Sequence, residues 1–178
     1  MSRILYIAEG EIEERFFDFL KVSDFICSGR FRKFNLMQEK LSGASDILKK
    51  IMDKVYCVLD TDCIEKVNFE TLIQNIKLLK RICPVNIFLL IQNKNFENEL
   101  SYVLDCKNLC DKFNLKHSTQ KDLKRHLAQS VNYSRIISKN NLVRYCRQPE
   151  KFKDELKNRH HKSLERKIVL FESSCMKR

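Results

Sequence analysis

The chain contains few of the residues that build flexible or unstructured segments. Only 3 glycines and 2 prolines occur among its 178 residues, and tryptophan is absent. This composition argues against long flexible linkers and low-complexity tracts. The length and the 43% hydrophobic content instead suit one domain with a substantial core and an appendage.

Long apolar runs are also missing. The longest stretches, residues 55–60 (VYCVLD) and 85–91 (VNIFLLI), are far shorter than the roughly 20 residues that a membrane-spanning helix needs. The N-terminus (MSRILYIAEGE) has neither the extended apolar segment nor the small-residue cleavage site of a signal peptide. We therefore expect a cytoplasmic protein that does not bind a membrane.

Regular cysteine spacing is absent, although the chain has 8 cysteines. None forms a C-x-x-C pair, and several, such as Cys57 and Cys83, lie in apolar, strand-like surroundings. These features predict reduced, buried side chains rather than a disulfide framework. Cys106 and Cys110 are four residues apart and close to His117 in sequence, which leaves a zinc site there as a minor alternative.

Charge is distributed unevenly along the chain. Residues 1–106 contain 15 Lys and Arg against 16 Asp and Glu, a net charge of −1, whereas residues 107–178 contain 19 against 7, a net charge of +12. The sequence therefore predicts a chemistry-bearing core at 1–106 and a basic, mainly helical extension at 107–178 that packs on it. Nucleic acid is the first candidate partner of the extension, and a solvated basic surface without a partner is the alternative.

Basic residues recur at helical intervals in the extension, beside Tyr133 and Tyr145. Such a face can contact a nucleic-acid backbone, and its aromatic rings can stack on bases. Each residue taken singly also fits an ordinary surface charge. The candidate nucleic-acid-binding residues are Lys121, Lys124, Arg125, Arg135, Arg144 and Arg147.

Hydrophobic periodicity alternates between strand and helix in the core. Strands are predicted at 3–8, 24–37, 55–60 and 85–93, and helices at 9–22, 42–54, 68–82 and 94–105. Three or four basic helices follow, and 167–171 (KIVLF) fits either a closing strand or a helix end. This order predicts an α/β fold with an open, mostly parallel four-stranded sheet and helices on both sides.

Acidic residues follow two of the predicted strands. Glu9 ends the first strand, and Asp60 and Asp62 end the third. Because alternate residues of an extended chain point the same way, both aspartates can face the ligand crevice at the carboxyl ends of the strands. Three carboxylates in one crevice repel each other unless a cation intervenes, and oxygen ligands favour Mg²⁺ or Mn²⁺. An ordinary strand-to-loop turn is the alternative, since aspartate is common there.

Short motifs around these acidic residues resemble a known domain. ILYIAEGEIEE and VLDTDC resemble the Glu-Gly and Asp-x-Asp signature of the Toprim domain, which occurs in primases, topoisomerases and OLD-family nucleases. EGEIEERFFDFL and LLIQNKNFENELSYVL are similar to segments of the RloB family, which is linked to restriction loci and phage defence. The matching residues in these two segments are Glu9, Gly10, Glu13, Asn93, Phe96 and Glu97; Ile12, Lys94 and Glu99 depart from that family's pattern.

The resemblance spans residues 3–105 and implies a fold and a chemistry. The fold would be a Toprim-like, mostly parallel four-stranded sheet flanked by helices. The chemistry would be Mg²⁺- or Mn²⁺-dependent hydrolysis of phosphodiester bonds in DNA or RNA, in an effector of phage defence by abortive infection. Glu9 would act as general acid/base or metal ligand and Asp60 and Asp62 as metal ligands, with Glu13 and Glu97 as further ligands.

The partners of such a protein stay open at this point. The chain has no G-x-x-x-x-G-K-[ST] motif of a P-loop ATPase, so a sensor or ATPase partner protein is compatible with the pattern, as is a homo-oligomer. The alternative to a nuclease is a non-catalytic nucleic-acid-binding or regulatory partner subunit that retains the Toprim fold.

Overall fold

A four-stranded parallel sheet, flanked by helices on both faces, forms the centre of the protein, as predicted. The computed structural model describes residues 2–62, 69–115, 119–129, 132–147 and 150–171. The strands are β1 Ile4–Ala8, β2 Arg30–Lys33, β3 Lys54–Asp60 and β4 Ile87–Gln92, in the order β2-β1-β3-β4. The helices are α1 Glu11–Val22, α2 Phe69–Leu79, α3 Phe96–Val103, α4 Leu109–Lys112, α5 Gln120–Gln129, α6 Lys139–Leu142, α7 Glu150–Asn158 and α8 Lys162–Glu165.

The central strands β1 and β3 are buried on both faces, which explains their nearly continuous apolar sequences. Tyr6 and Tyr56 lie on the face covered by α1 and α3, and their rings stack with centroids 5.4 Å apart. Ile7 and Cys57 lie on the opposite face, together with α2. Because side chains alternate along a strand, Asp60 belongs to the same face as Tyr56 and therefore faces the side of α1 and α3.

The strand order creates a topological switch point between β1 and β3. After β1 the chain passes through α1 to β2 on one side, and after β3 it passes through α2 to β4 on the other. The two helices pack on opposite faces of the sheet. In open parallel sheets, the crevice at such a point, beyond the carboxyl ends of the strands, is where ligands bind.

The prediction of a helix at residues 42–54 is wrong. Only one 3₁₀ turn forms there, at Asp46–Lys49, and the Ser45 side chain accepts a hydrogen bond from the backbone N–H of Ile47 at its start. The next residues extend because their backbones bond elsewhere: the Met52 N–H donates to the Ile82 carbonyl at 2.7 Å. Tertiary hydrogen bonds thus override the helical spacing of the apolar residues in this segment.

The second predicted strand, 24–37, is shortened to β2. Gly29 lies immediately before it and is required there, because a Cβ atom at this position would stand 2.8 Å from both the Ile4 carbonyl oxygen and the Tyr6 ring. This close approach of Gly29 to β1 brings the chain into register, so that Leu5 pairs with Arg30.

The extension packs on both faces of the sheet. The ring centroid of Phe152 lies 5.6 Å from that of Phe69, on the side of α2. The ring centroid of Phe171 lies 6.5 Å from that of Phe17, on the side of α1. Ile168 forms an isolated parallel bridge with Leu89 of β4, and the Leu89 N–H donates to the Lys167 carbonyl at 2.8 Å. The domain boundary after residue 106 stays a prediction, since both hydrophobic clusters contain residues from before and after it.

The described part of the extension is more interrupted than the three or four helices predicted. It contains five short helices and a 3₁₀ turn at Tyr133–Arg135. Cys146 and His160 adopt positive φ angles of 55° and 58°, in the connections before α7 and after it, and a helix does not continue through such residues. No helix among the described residues is long and apolar enough to cross a membrane.

Glu99 joins the extension to the core, and its removal is expected to destabilise the fold. Its fully buried carboxylate accepts hydrogen bonds from the Asn93 N–H at 2.8 Å and from the Cys146 N–H at 2.7 Å. Burial raises the pKa of Glu99, against the opposing effect of these two donors. Glu99→Ala would remove both of these buried hydrogen bonds, so we expect the free energy of unfolding in urea to fall by about 3 kcal/mol.

The matched control for this substitution is Glu99→Gln, which has a similar shape and retains one acceptor oxygen. We expect it to lose roughly half as much stability as the alanine variant, because one of the two N–H groups keeps its partner. An alanine variant as stable as the wild type would contradict the role assigned to Glu99.

Candidate metal centre

Glu9 is the first residue after β1, at the switch point between β1 and β3. Its side chain is exposed at the rim of the crevice and is hydrogen-bonded by the Asn35 side chain, which follows β2. Partial burial of the carboxylate raises its pKa, and the negative charge of Asp62 raises it further. The end of β1 and the loop after β3 therefore bring two of the predicted carboxylates into electrostatic contact.

The loop after β3 is tied to the loop after β4. Thr61 donates from its hydroxyl to the Gln92 carbonyl at 2.9 Å and accepts from the Lys94 N–H at 2.8 Å. The backbone N–H groups of Thr61 and Asp62 donate to the Lys94 carbonyl at 2.7 and 2.8 Å. The threonine between the two aspartates thus fixes the course of the loop, while Asp60 and Asp62 remain available to the crevice.

Glu13 and Glu97 enter the same crevice from α1 and α3. Both side chains are buried, with relative exposures of 5% and 7%. Burial raises the pKa of Glu13 to about 7, and the charges of Glu97 and Glu9 contribute to this rise. The Glu13 carboxylate lies against Gly10, where a Cβ atom would stand 2.6 Å from its Oε2, so a larger residue at position 10 would displace it.

Asp60 lies at the centre of these carboxylates. Burial, the largest effect, and four other charges together raise its pKa to about 9. In order of effect, these charges are Glu13, Glu9, Asp62 and Glu97. The structure therefore places all five carboxylates that the sequence singled out within electrostatic range of one another at Asp60, and we call them the carboxylate cluster.

The chemistry of the carboxylate cluster fits a hard divalent cation. Five carboxylates supply only oxygen ligands, and repulsion between them adds to the larger effect of burial in raising the pKa values of Asp60, Glu13 and Glu9. In the part of the chain that the structure describes, no three His, Cys, Asp or Glu side chains are arranged so that they could hold a metal ion. Coordination of a cation therefore requires side chains of the cluster to rotate towards one another.

Lys124 brings a positive charge from the extension to the carboxylate cluster. Its Nζ lies 3.6 Å from the Glu97 Oε1, and its charge lowers the pKa values of Glu9 and Glu13. The sequence predicted this residue, on α5, as a contact for nucleic acid. Its position next to the cluster allows it to contact a phosphate group that is bound there.

The other predicted basic residues differ in whether their side chains already interact with another group of the protein. Lys121 and Arg135 are exposed, and Arg125 forms an ion pair with Asp122 at 2.9 Å. The guanidinium carbon of Arg144 lies 4.5 Å from the centroid of the Tyr102 ring, on which it stacks. Arg147 donates from Nε to the Val143 carbonyl at 2.6 Å. Contacts of these residues with nucleic acid stay a prediction.

The aromatic residues of the extension do not form a surface for stacking bases. Tyr133 and Tyr145 are buried, with relative exposures of 4% and 1%. Both rings pack against Phe16 of α1, with centroids 5.4 and 5.2 Å from it. The expectation that these tyrosines stack on bases is therefore wrong, because their rings are part of the hydrophobic core.

A basic groove, not singled out in the sequence, lies between α7 and α8. It has a volume of about 550 Å³, and it is lined by Glu150, Lys153, Lys157, Lys162, Glu165, Arg166 and Ile168. Lys157 lies 3.7 Å from Asp154 and 3.9 Å from Glu165, whereas among the described residues no carboxylate pairs with Lys162 or Arg166. Helical spacing on α7 alone could not reveal this groove, since its second wall comes from α8.

Comparison with known proteins identified no family. No family model matches the chain, and no curated protein or solved structure matches it significantly. The resemblance to Toprim and RloB proteins therefore rests on the motifs quoted above. The zinc alternative gains no support from the described residues, and His117 lies outside them.

Proposed function

We propose that the protein is a cytoplasmic, Mg²⁺- or Mn²⁺-dependent Toprim-like nuclease that hydrolyses phosphodiester bonds in DNA or RNA, as an RloB-like effector of phage defence. The observation that carries this proposal is the carboxylate cluster at the switch point of the sheet. Its members come from β3, from α1 and α3, and from the loops after β1 and β3. Such convergence of mutually repelling charges, some of them buried, has a cost in stability, which a bound cation would reduce.

Each residue of the cluster has a role that follows from its position. Asp60 and Asp62, held by the loop that Thr61 anchors, would be the principal ligands of the cation. Glu9, at the exposed rim, would complete the ligands or act as general acid/base. A divalent cation bound there would supply the positive charge that phosphodiester hydrolysis requires near phosphorus.

Residues of the extension would hold the substrate. Lys124, 3.6 Å from Glu97, can form an ion pair with a non-bridging phosphate oxygen once the carboxylates are occupied by a cation. Glu13 and Glu97, the two buried glutamates of the cluster, would be further ligands of the cation. The basic groove would contact the nucleic acid at a second place, through its backbone phosphates.

Cleavage with and without a chelator tests this proposal. We expect the purified protein to cut labelled single-stranded or duplex DNA or RNA in Mg²⁺ or Mn²⁺ and to lose this activity in EDTA. The alternative, a non-catalytic nucleic-acid-binding or regulatory subunit, predicts equal binding with and without EDTA and no cleavage. A sensor protein or ATPase that activates the nuclease would appear as a component that must be added before cleavage is seen.

Charge reversal in the basic groove is expected to weaken binding of nucleic acid. The double variant Lys162→Glu with Arg166→Glu removes two cations that have no carboxylate partner among the described residues. The slope of log affinity against log salt concentration should fall by about 2, since each lost phosphate contact removes about one unit. Fluorescence anisotropy with a labelled oligonucleotide measures this slope.

The matched comparison is Lys121→Glu with Arg125→Glu, which makes the same charge change on α5. If the groove is the main backbone contact, the α5 variant should change the slope less than the groove variant. A groove variant that binds with the wild-type slope would contradict a role of the groove in binding nucleic acid.

A further inference from the structure

The hydroxyl group of Tyr133 is a buried hydrogen-bonding group without a partner. The residue is 4% exposed, and its Oη forms no hydrogen bond within the described part of the chain. An unpaired buried hydroxyl costs about 1–3 kcal/mol, and such groups are uncommon in native proteins. A phenylalanine would fill the same space without this cost, so packing alone does not account for the hydroxyl.

Aromatic contacts place the Tyr133 ring on the same side of α1 as two members of the carboxylate cluster. The Tyr133 ring packs against the rings of Phe16 and Phe19, both on α1, with centroid distances of 5.4 and 5.6 Å. Phe16 lies three residues after Glu13, on the same face of α1, and its ring is 5.2 Å from that of Phe96, the residue before Glu97. Accordingly, Glu13 and Glu97 both raise the pKa of the Tyr133 hydroxyl, although burial has the larger effect.

The Tyr133 residue also borders an open cavity. This open cavity of about 810 Å³ lies between α1 and the extension, and Tyr133 forms part of its lining together with Phe19 and Arg15. Tyr133 therefore borders the cavity on one side, while its hydroxyl interacts electrostatically with two members of the carboxylate cluster. No member of the carboxylate cluster lines this cavity and the hydroxyl oxygen is itself buried, so a ligand held at the cluster would meet the hydroxyl from the side of Glu13 and Glu97.

We propose that the Tyr133 hydroxyl is a substrate-binding donor, which gives its hydrogen bond to an oxygen of the phosphodiester held at the carboxylate cluster. This inference rests on the proposed function. The raised pKa keeps the hydroxyl protonated, so that it acts as a donor and not as a nucleophile. The ring contacts with Phe16 and Phe19 hold the donor in place before the substrate arrives, which limits the entropy that binding costs.

The substitution that tests this inference is Tyr133→Phe, which removes the hydroxyl and keeps the ring. The probe is fluorescein-labelled tetrathymidylate, measured with Ca²⁺ in place of Mg²⁺ so that binding is read separately from turnover. We expect the variant to bind the probe about ten-fold more weakly, as the loss of one hydrogen bond to a charged group implies. Its midpoint of thermal unfolding in EDTA should be equal to that of the wild type or higher.

Tyr145→Phe is the matched control within the same aromatic cluster. The Tyr145 hydroxyl has a partner, since the Gln92 Nε2 donates to it at 2.6 Å. This control should lower the midpoint of unfolding and leave binding of the probe unchanged. The two variants therefore separate loss of a ligand contact from loss of an internal hydrogen bond.

Three outcomes would overturn the role of Tyr133. If Tyr133→Phe binds the probe as tightly as the wild type while the wild type cleaves nucleic acid, this inference fails and the proposed function stands. If the variant loses stability in EDTA, the hydroxyl has an internal partner and a structural role. If the wild type neither binds the probe nor cleaves nucleic acid, both the inference and the proposed function fail.

Discussion

Asp60→Asn is expected to lower Mg²⁺-dependent cleavage by at least about three orders of magnitude, because it removes a ligand at the centre of the carboxylate cluster. The same substitution should make the metal-free protein more stable. The Asp60 pKa is raised from 3.8 to about 9, so between about pH 4 and pH 9 the folded state keeps a proton that the unfolded chain releases and loses stability as the pH rises, whereas asparagine is neutral at every pH. Loss of activity with a gain of stability distinguishes a functional carboxylate from a structural one.

The control for this variant lies at the other end of the same strand. Asp53, just before β3, accepts hydrogen bonds from the Arg3 N–H at 2.7 Å and from its guanidinium at 3.3 Å, and these donors lower its pKa. Asp53→Asn should therefore reduce stability slightly and leave cleavage unchanged, which is the reverse of the Asp60 result. Full cleavage by Asp60→Asn would refute the assignment of this residue as a ligand.

The stability of the metal-free protein is expected to fall as the pH rises from about 5 to 9. In the folded state the pKa of Asp60 is raised from 3.8 to about 9 and that of Glu13 from 4.5 to about 7. The folded protein therefore binds more protons than the unfolded chain in this window, and stability decreases where the folded state holds the extra protons. We expect the midpoint of thermal unfolding in EDTA to fall by about 5 °C or more across the window.

Addition of Mg²⁺ should reverse this trend. A cation binds the ionised carboxylates and releases their protons, so its stabilising effect should be larger at about pH 8.5 than at about pH 6. Thermal unfolding over a range of pH, with EDTA or Mg²⁺, measures both effects. A midpoint in EDTA that is flat or rises with pH, or a slope that is unchanged in Asp60→Asn, would contradict the electrostatic coupling within the cluster.

The sequence predicted the sheet well because each strand has a strong local pattern. The continuous apolar residues of 55–60 indicated a strand buried on both faces, and β3 is such a strand. The acidic residues after β1 and β3 could be placed at one edge, since parallel strands have their carboxyl ends on the same side. The convergence of Glu9, Asp60 and Asp62 follows from this topology together with the strand order, in which β1 and β3 are neighbours.

Other features depend on contacts between distant parts of the chain, which a local pattern does not contain. The segment 42–54 has helical spacing, but the backbone of Met52 pairs with Ile82 instead. The bond of Asn35 to Glu9 and the electrostatic interaction of the Tyr133 hydroxyl with Glu13 arise only when β2 and the extension pack against α1 and β1. Basic residues of the extension suggested nucleic acid, yet their spacing could not show that Lys124 lies at the cluster.

Location of bound Mn²⁺ tests the central claim most directly. A crystal of the wild-type protein soaked in Mn²⁺, measured for anomalous scattering, would show where the ion binds. The account predicts an anomalous peak between the carboxylates of Glu9, Asp60 and Asp62, with oxygen ligands at roughly 2.0–2.3 Å, and no such peak in Asp60→Asn. An ordered cluster without a peak at saturating Mn²⁺, or a peak only at other residues, would contradict the claim that these carboxylates form a metal centre.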